Sequence, residues 1–249
     1  MDPVKGDVYA LGLPGHAPDM MSRRAARVAA SLCLLALVAV WPGPQAAAAP
    51  RSAIPSADQI RSFVSHATVR IEVEETTFRG ICTGWVGWSE DTRSAAYTAG
   101  HCYRPGAQYR LTGLDGRESV YAMSLSRWES LDLMVLWFPR GALPALRFWK
   151  PMPAGPFRAL YALTERGAPP RVVDVAVPRV HWEVRFNTHP AAVAVPLLSA
   201  PGTSGAPVVD LADGALVGMI VGYAVDRPDL AAVVPAQSIY DALVATPRR

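Results

Sequence analysis

One serine stands among small residues in the run Pro201-Gly202-Thr203-Ser204-Gly205-Ala206-Pro207-Val208. Such a run lets the backbone turn sharply and offers a hydroxyl and neighbouring N–H groups to a substrate carbonyl. Taken alone, G-x-S-G-x-P also fits a plain turn. Upstream, Tyr97-Thr98-Ala99-Gly100-His101-Cys102 sets a histidine beside a cysteine at the end of an apolar stretch. Ser130-Leu131-Asp132-Leu133-Met134-Val135-Leu136 then places one acid inside a hydrophobic strand. A serine hydroxyl is a poor nucleophile at neutral pH and needs a base within hydrogen-bond reach. Imidazole titrates near the working pH, so His101 suits that task. Asp132, accepting from the other ring nitrogen, would fix the tautomer and stabilise the imidazolium. The chain order His, Asp, Ser is one in which this triad occurs.

Each assignment has a structural alternative. His101 could be a satisfied core histidine. Asp132 could be a turn or cap acid, although its flanking Leu131, Leu133 and Met134 make that awkward, because a buried carboxylate needs a partner. The rival acids are Asp115, in an L-D-G-R turn, and Asp174, in a strand after Pro169-Pro170; both read as structural. His66, His181 and His189 show no metal-ligand spacing and read as surface or core residues. No metal and no cofactor is expected.

The elements that must position these groups are short strands. Thr68-Val69-Arg70-Ile71-Glu72-Val73-Glu74 alternates polar and apolar residues with period two. Similar strands are expected at 84–88, 94–98, 108–112, 120–124 and 133–138, then at 158–163, 171–177, 182–186, 192–195, 207–211, 215–223 and 231–235. Apolar residues at Ile239, Leu243 and Val244 fit a closing helix over 236–246. Many short strands without a strong long helix argue for an all-β barrel or sandwich. The proline-rich stretch 139–156 reads as the connection between a β unit over 67–138 and another over 157–235, followed by a helix and tail over 236–249. His101 and Asp132 fall in the first unit and Ser204 in the second, so a shared site would lie in the cleft between them.

Hydrophobic residues make up 51% of the chain and the formal net charge is only +3, which argues against a disordered or nucleic-acid-coating protein. Arg23, Arg24 and Arg27 precede an apolar stretch over 28–41 that is too short to span a bilayer comfortably. Pro42-Gly43-Pro44-Gln45 breaks it, and Ala46-Ala47-Ala48-Ala49 offers an A-x-A site. We read 21–49 as a signal peptide cut near Ala48 or Ala49, with an uncleaved membrane anchor as the alternative. Residues 1–20 read as an extension, with Met20 or Met21 as the alternative start, and 50–66 as a lead segment with a possible helical turn. Secretion or residence in a periplasm follows, with no stable membrane association after cleavage. Loss of Cys33 with the signal leaves an even pair, Cys82 and Cys102, in an oxidising compartment.

Together the three motifs resemble those of the chymotrypsin-like, or trypsin-like, serine proteases: T-A-G-H-C the histidine motif, S-L-D-L-M-V-L the aspartate motif and G-T-S-G-A-P-V the serine motif. The resemblance covers roughly 67–243. It implies two six-stranded Greek-key β-barrels with a short C-terminal helix. It implies His101, Asp132 and Ser204 as the catalytic triad of an endopeptidase, with the N–H groups of Gly202 and Ser204 as the oxyanion hole. It also implies a Cys82–Cys102 disulfide holding His101 in place, two buried free thiols being the alternative. The substrates would be proteins or peptides.

The chain departs from the digestive members. Thr203 stands where they carry an acid before the serine, and there is no I-V-G-G start, so activation by that ion pair is not expected. In this it resembles the bacterial HtrA-like and glutamyl-endopeptidase-like branches, without a PDZ domain after the helix. The resemblance sets the pocket floor near Leu198, with Val221, Gly222 and Tyr223 as its wall. No acid is there, so a small or medium apolar residue before the scissile bond is the expected preference. Two other functions remain open: a catalytically weak secreted binding protein of the same fold, and a serine esterase of another fold, disfavoured because the G-x-S-x-G elbow is missing.

Overall fold

The computed structural model describes residues 55–90, 92–116, 119–139, 143–146, 149–164, 168–224 and 227–245. The expected extension, signal peptide, cleavage site and Cys33 lie outside the described residues.

The period-two pattern becomes β1 (Thr68–Glu74), which buries Val69, Ile71 and Val73 on one face. It is joined by β2 (Arg79–Ser89), β3 (Arg93–Ala99), β4 (Gln108–Gly113), β5 (Ser119–Tyr121), β6 (Ser124–Trp128) and β7 (Leu133–Pro139) in the order β5-β4-β1-β2-β3-β7-β6. The single strand expected at 120–124 is in fact two, so this sheet has seven strands rather than six. The reason is closure. Consecutive residues bond to opposite sides: the Ala122 N–H donates to Tyr109 O on β4, and the Met123 N–H donates to Trp137 O on β7. Strands β5 and β6 adjoin in sequence yet stand at the two edges of the sheet, which must therefore curl until its edges approach.

The second sheet is built from β8 (Phe157–Leu163), β9 (Arg171–Val177), β10 (Val193–Val195), β11 (Pro207–Asp210), β12 (Leu216–Ala224) and β13 (Arg227–Pro235), in the order β10-β13-β12-β11-β8-β9. All named pairings in both sheets are antiparallel. The two curled sheets with a C-terminal helix form the chymotrypsin-like double barrel. No strand forms at 182–186 despite the alternation of Trp182, Val184 and Phe186. The segment turns on itself, with the Val184 N–H donating to His181 O, and only His181 bridges to Ala194.

The lead segment carries more order than a single turn. α1 (Ala57–Ala67) begins at Ser56, whose side chain accepts from the Gln59 N–H while the Gln59 side chain accepts from the Ser56 N–H. This capping box satisfies two otherwise orphaned donors and contributes roughly 1 kcal/mol. The helix buries Ile60, Val64 and Ala67, and Arg61 donates to Asp174 on β9 at 2.5 Å. α2 (Ala236–Ala245) buries Ile239 and stacks Tyr240 on Trp149. One apolar core includes α1 and the first sheet and reaches Leu160, Val209, Met219 and Val234 of the second. A further core, around Tyr161, Val208 and Ile220, lies within the second sheet.

Cys82 on β2 and Cys102 are disulfide-bonded across 20 residues. Closing a loop of that length contributes about 3 kcal/mol on the chain-entropy model. Replacing both cysteines with serine should lower the unfolding free energy by about that amount in guanidinium denaturation. Unreduced protein should carry no alkylatable thiol at either position; two such thiols in mature protein would exclude the bond.

Candidate active site

His101 sits in a single 3-10 turn, Gly100–Cys102, at the end of β3. Asp132 follows another such turn, Glu129–Leu131, and leads into β7. Because β3 pairs with β7 up to Ala99↔Leu133, the two turns meet at the same end of the sheet. Asp132 has φ 48° and is the one non-glycine residue with positive φ among those described. The left-handed conformation is least costly for Asp and Asn among residues with a side chain. It turns the carboxylate toward the histidine.

Three bonds join the turns. The Gly100 N–H donates to Asp132 O at 2.6 Å, the His101 N–H to Asp132 Oδ1 at 2.6 Å, and His101 Nδ1 to Asp132 Oδ2 at 2.7 Å. A Cβ at position 100 would come within 2.9 Å of the Asp132 carbonyl carbon, so the approach requires glycine. Burial pushes the Asp132 carboxyl upward, but the hydrogen bonds from His101 and the proximity of the His189 imidazole outweigh it and hold its pKa at about 2. The Asp132 side chain is 14% exposed and that of His101 is 45% exposed, so the carboxylate is sheltered and the imidazole is open to solvent.

The serine loop belongs to the second sheet but is fixed by the first. The Thr83 N–H on β2 donates to Ser204 O at 2.8 Å. Thr83 Oγ1 lies 2.7 Å from Gly202 O and 2.9 Å from Thr164 Oγ1. The hydroxyl has one proton, which goes to the carbonyl, so it accepts from Thr164. Gly205, at φ 90°, packs so closely that a Cβ there would lie 2.0 Å from Thr83 O and 2.9 Å from Ala99 N. The loop thus rests against the residues just before His101. On its other side the Gly205 N–H donates to Ile220 O and the Ile220 N–H to Ala206 O.

Along the loop the N–H groups alternate. Thr203 donates to Ala200 O and Gly205 to Ile220 O, whereas among the described residues the N–H groups of Gly202 and Ser204 have no backbone partner. Gly202, at φ 108°, has its Cα against Thr164 O, where a Cβ would come within 2.7 Å. Among the described residues no hydrogen bond joins Ser204 Oγ to the His101 ring. Such base–hydroxyl bonds are often long in unliganded sites and tighten in the reacting complex.

Of the residues expected at a pocket, Val221 is buried on β12, Gly222 is partly buried and Tyr223 is 41% exposed. Leu198 is 60% exposed, on the segment leading to the serine loop. Asp174 is engaged by Arg61 and Arg158, on β9 of the other sheet from His101.

Two further residues stand at the site: Thr83, which the sequence did not single out, and His189, which it read only as a surface or core residue. Thr83 adjoins Cys82, but only the cysteine carried a signal. His189 precedes Pro190 without any partner spacing, yet its Nδ1 lies 3.2 Å from Asp132 Oδ2.

A family model described as a trypsin-like peptidase domain matches residues 82–219. No curated protein matches the chain. Among solved structures, the fold is similar to the active form of the Rv3671c protease from M. tuberculosis, with 19% identity, TM-score 0.63, and coverage of 76% of this chain and 85% of that one. It is similar to the serine endoprotease from Yersinia pestis, with 16% identity, TM-score 0.62, and coverage of 76% and 66%. It is also similar to the HtrA-type protease AlgW with a tripeptide, with 20% identity, TM-score 0.64, and coverage of 77% of this chain and 63% of that one.

Two outcomes follow from the geometry. Thr83→Val removes a buried hydroxyl and leaves Gly202 O and the Thr164 hydroxyl without it; urea denaturation should show a loss of about 1–3 kcal/mol. Asp132 has a folded-state pKa below its ordinary 3.8. Its contribution is therefore complete above about pH 4 and disappears as the pH falls through about 2. The stability gap between wild type and Asp132→Asn should shrink by about 2 kcal/mol between pH 5 and pH 2, read by denaturation at each pH.

Proposed function

The chain belongs to the trypsin-like peptidase domain family, and from that premise we propose that it is a secreted serine endopeptidase acting through Ser204, His101 and Asp132. The observation that carries this reading is the two-point bond between His101 and Asp132 at the rim of a serine loop pinned by Thr83.

In the reaction, Ser204 Oγ attacks the scissile carbonyl as His101 Nε2 takes its proton. Asp132 holds the Nδ1–H and stabilises the imidazolium that forms. The carbonyl oxygen becomes an oxyanion facing the N–H groups of Gly202 and Ser204, the two left without a backbone partner. Removing one such donor typically costs about 3 kcal/mol of transition-state stabilisation. Collapse of the tetrahedral species expels the amine, which takes the proton from His101 and leaves an acyl-enzyme on Ser204. Water then attacks with His101 as base, releasing the acid and restoring the hydroxyl.

The preference for a small or medium apolar residue before the scissile bond rests on the resemblance, which sets the apolar Leu198 at the pocket floor and Val221, Gly222 and Tyr223 at its wall. Secretion rests on the arginines and apolar run before Ala48 and Ala49 and is supported by the Cys82–Cys102 disulfide.

A fluorophosphonate probe should label wild type and leave Ser204→Ala unlabelled. Peptide cleavage should fall by about 10⁶-fold in Ser204→Ala and about 10⁴-fold in Asp132→Asn. Across a peptide panel, Ala, Val or Leu before the cleaved bond should give higher kcat/KM than Arg, Lys or Glu. A folded wild type that neither labels nor cleaves across several pH values would instead be a binding protein of this fold.

A further inference from the structure

His189 lies on the connection between β9 and β10, in Asn187-Thr188-His189-Pro190. Its backbone is tied locally: the His189 N–H donates to Phe186 O, and the Ala192 N–H donates to His189 O. Its side chain is 17% exposed and is wedged between the two halves of the site. On one side Nδ1 faces Asp132 Oδ2 at 3.2 Å. On the other, Nε2 would be 3.1 Å from a Cβ at Gly222, so the glycine on β12 leaves room for the ring. The His189 and His101 rings have centroids 6.0 Å apart.

Nδ1 of His189 is buried and makes no fully aligned hydrogen bond. A buried ring nitrogen without a partner is costly, and here the neighbour within reach is a carboxylate. A bare Nδ1 lone pair aimed at an anionic oxygen would be repulsive. An Nδ1–H aimed at it is attractive, whether the ring is neutral or charged. The other titratable groups about this ring are His101 and Glu129; Glu129 borders, with Asp132 and His189, a void of about 10 Å³ but is largely exposed and lies 3.4 Å from Arg127.

We propose that His189 is a positioning residue for the proton relay: its Nδ1–H shares Asp132 Oδ2 with His101, so one carboxylate serves two imidazoles. This rests on the peptidase reading of His101 and Asp132. Two consequences follow. The carboxylate cannot swing about its Cβ–Cγ bond, because Oδ1 is held by the His101 N–H and Oδ2 from two sides. Its negative charge is also divided, so it stabilises an imidazolium at His101 less than an unshared carboxylate would.

The test is a ring titration of the full chain by nitrogen NMR, beside kcat/KM against pH, for wild type, His189→Ala and His189→Asn. In His189→Ala the His101 midpoint should move to higher pH by roughly half a pH unit or more, and the acid limb of kcat/KM should move with it. His189→Asn, whose amide N–H replaces Nδ1–H, should bring both back toward wild type. A merely structural role would lower activity without moving the limb. A His101 midpoint unchanged or lowered in His189→Ala overturns the proposal. So does wild-type protein whose neutral His189 carries its proton on Nε2 with Nδ1 bare, a result that needs no variant to fold. Fluorophosphonate labelling of the same wild-type sample tests the peptidase reading separately; failure there leaves the ring titrations to decide the sharing of Asp132.

Discussion

Thr83 gives its N–H to Ser204 O and its hydroxyl to Gly202 O, and both acceptors sit on a loop of the other sheet. A residue of β2 thereby sets the height and tilt of the serine loop. The same residue is anchored in its own sheet: Thr98 on β3 donates to Thr83 O at 2.6 Å, and Cys82, one position earlier, is bonded to Cys102 beside His101. Histidine, disulfide and serine loop are thus referred to one short stretch of strand. Buried polar groups are costly when unpaired, so this network favours one arrangement of the two sheets over looser ones.

Close backbone approach is the second part of that constraint. Gly100, Gly202 and Gly205 each stand where a Cβ would strike backbone atoms, of Asp132, Thr164 and Thr83 respectively. Their small size lets the chain segments touch, and the hydrogen bonds across the contacts hold them there. The Asp132 carboxylate has a different footing. It is partly desolvated, which opposes ionisation, and stays ionised because donors converge on it. Electrostatic order at the site therefore depends on the packing order that brings the donors in.

Much of this was legible in the chain. His101, Asp132 and Ser204 stood out because each lies in a local motif, and alternation in Thr68-Val69-Arg70-Ile71 marked β1 directly. The strand expected at 120–124 divides because Ala122 and Met123 bond to opposite edges of a closing sheet, a break that alternation cannot register. Trp182, Val184 and Phe186 alternate equally well, yet a strand also needs a free partner edge, and β10 is already paired to β13. The lead segment holds a full helix rather than a single turn: the Ser56–Gln59 pair marks its start, but three buried positions in eleven residues give only a thin apolar stripe. Thr83 acts on Gly202 and Ser204, 119 and 121 positions along the chain, and His189 on Asp132, 57 positions away, which no local pattern encodes.

The residue before the serine shows how the loop can be set without an ion pair. Thr203 is fully buried, and its hydroxyl lies 3.4 Å from both Thr164 O and the Ala200 N–H. An aspartate there would bring a charge into a pocket of neutral partners, at a cost of several kcal/mol unless a cation followed it in. Threonine needs no such counter-ion, since one hydroxyl can donate to the carbonyl and accept from the N–H. With Thr203 N–H also given to Ala200 O, the turn before Ser204 is closed by its own neighbours and by Thr164. The turn before the serine is thus closed by neutral hydrogen bonds alone among the contacts that Thr203 makes here.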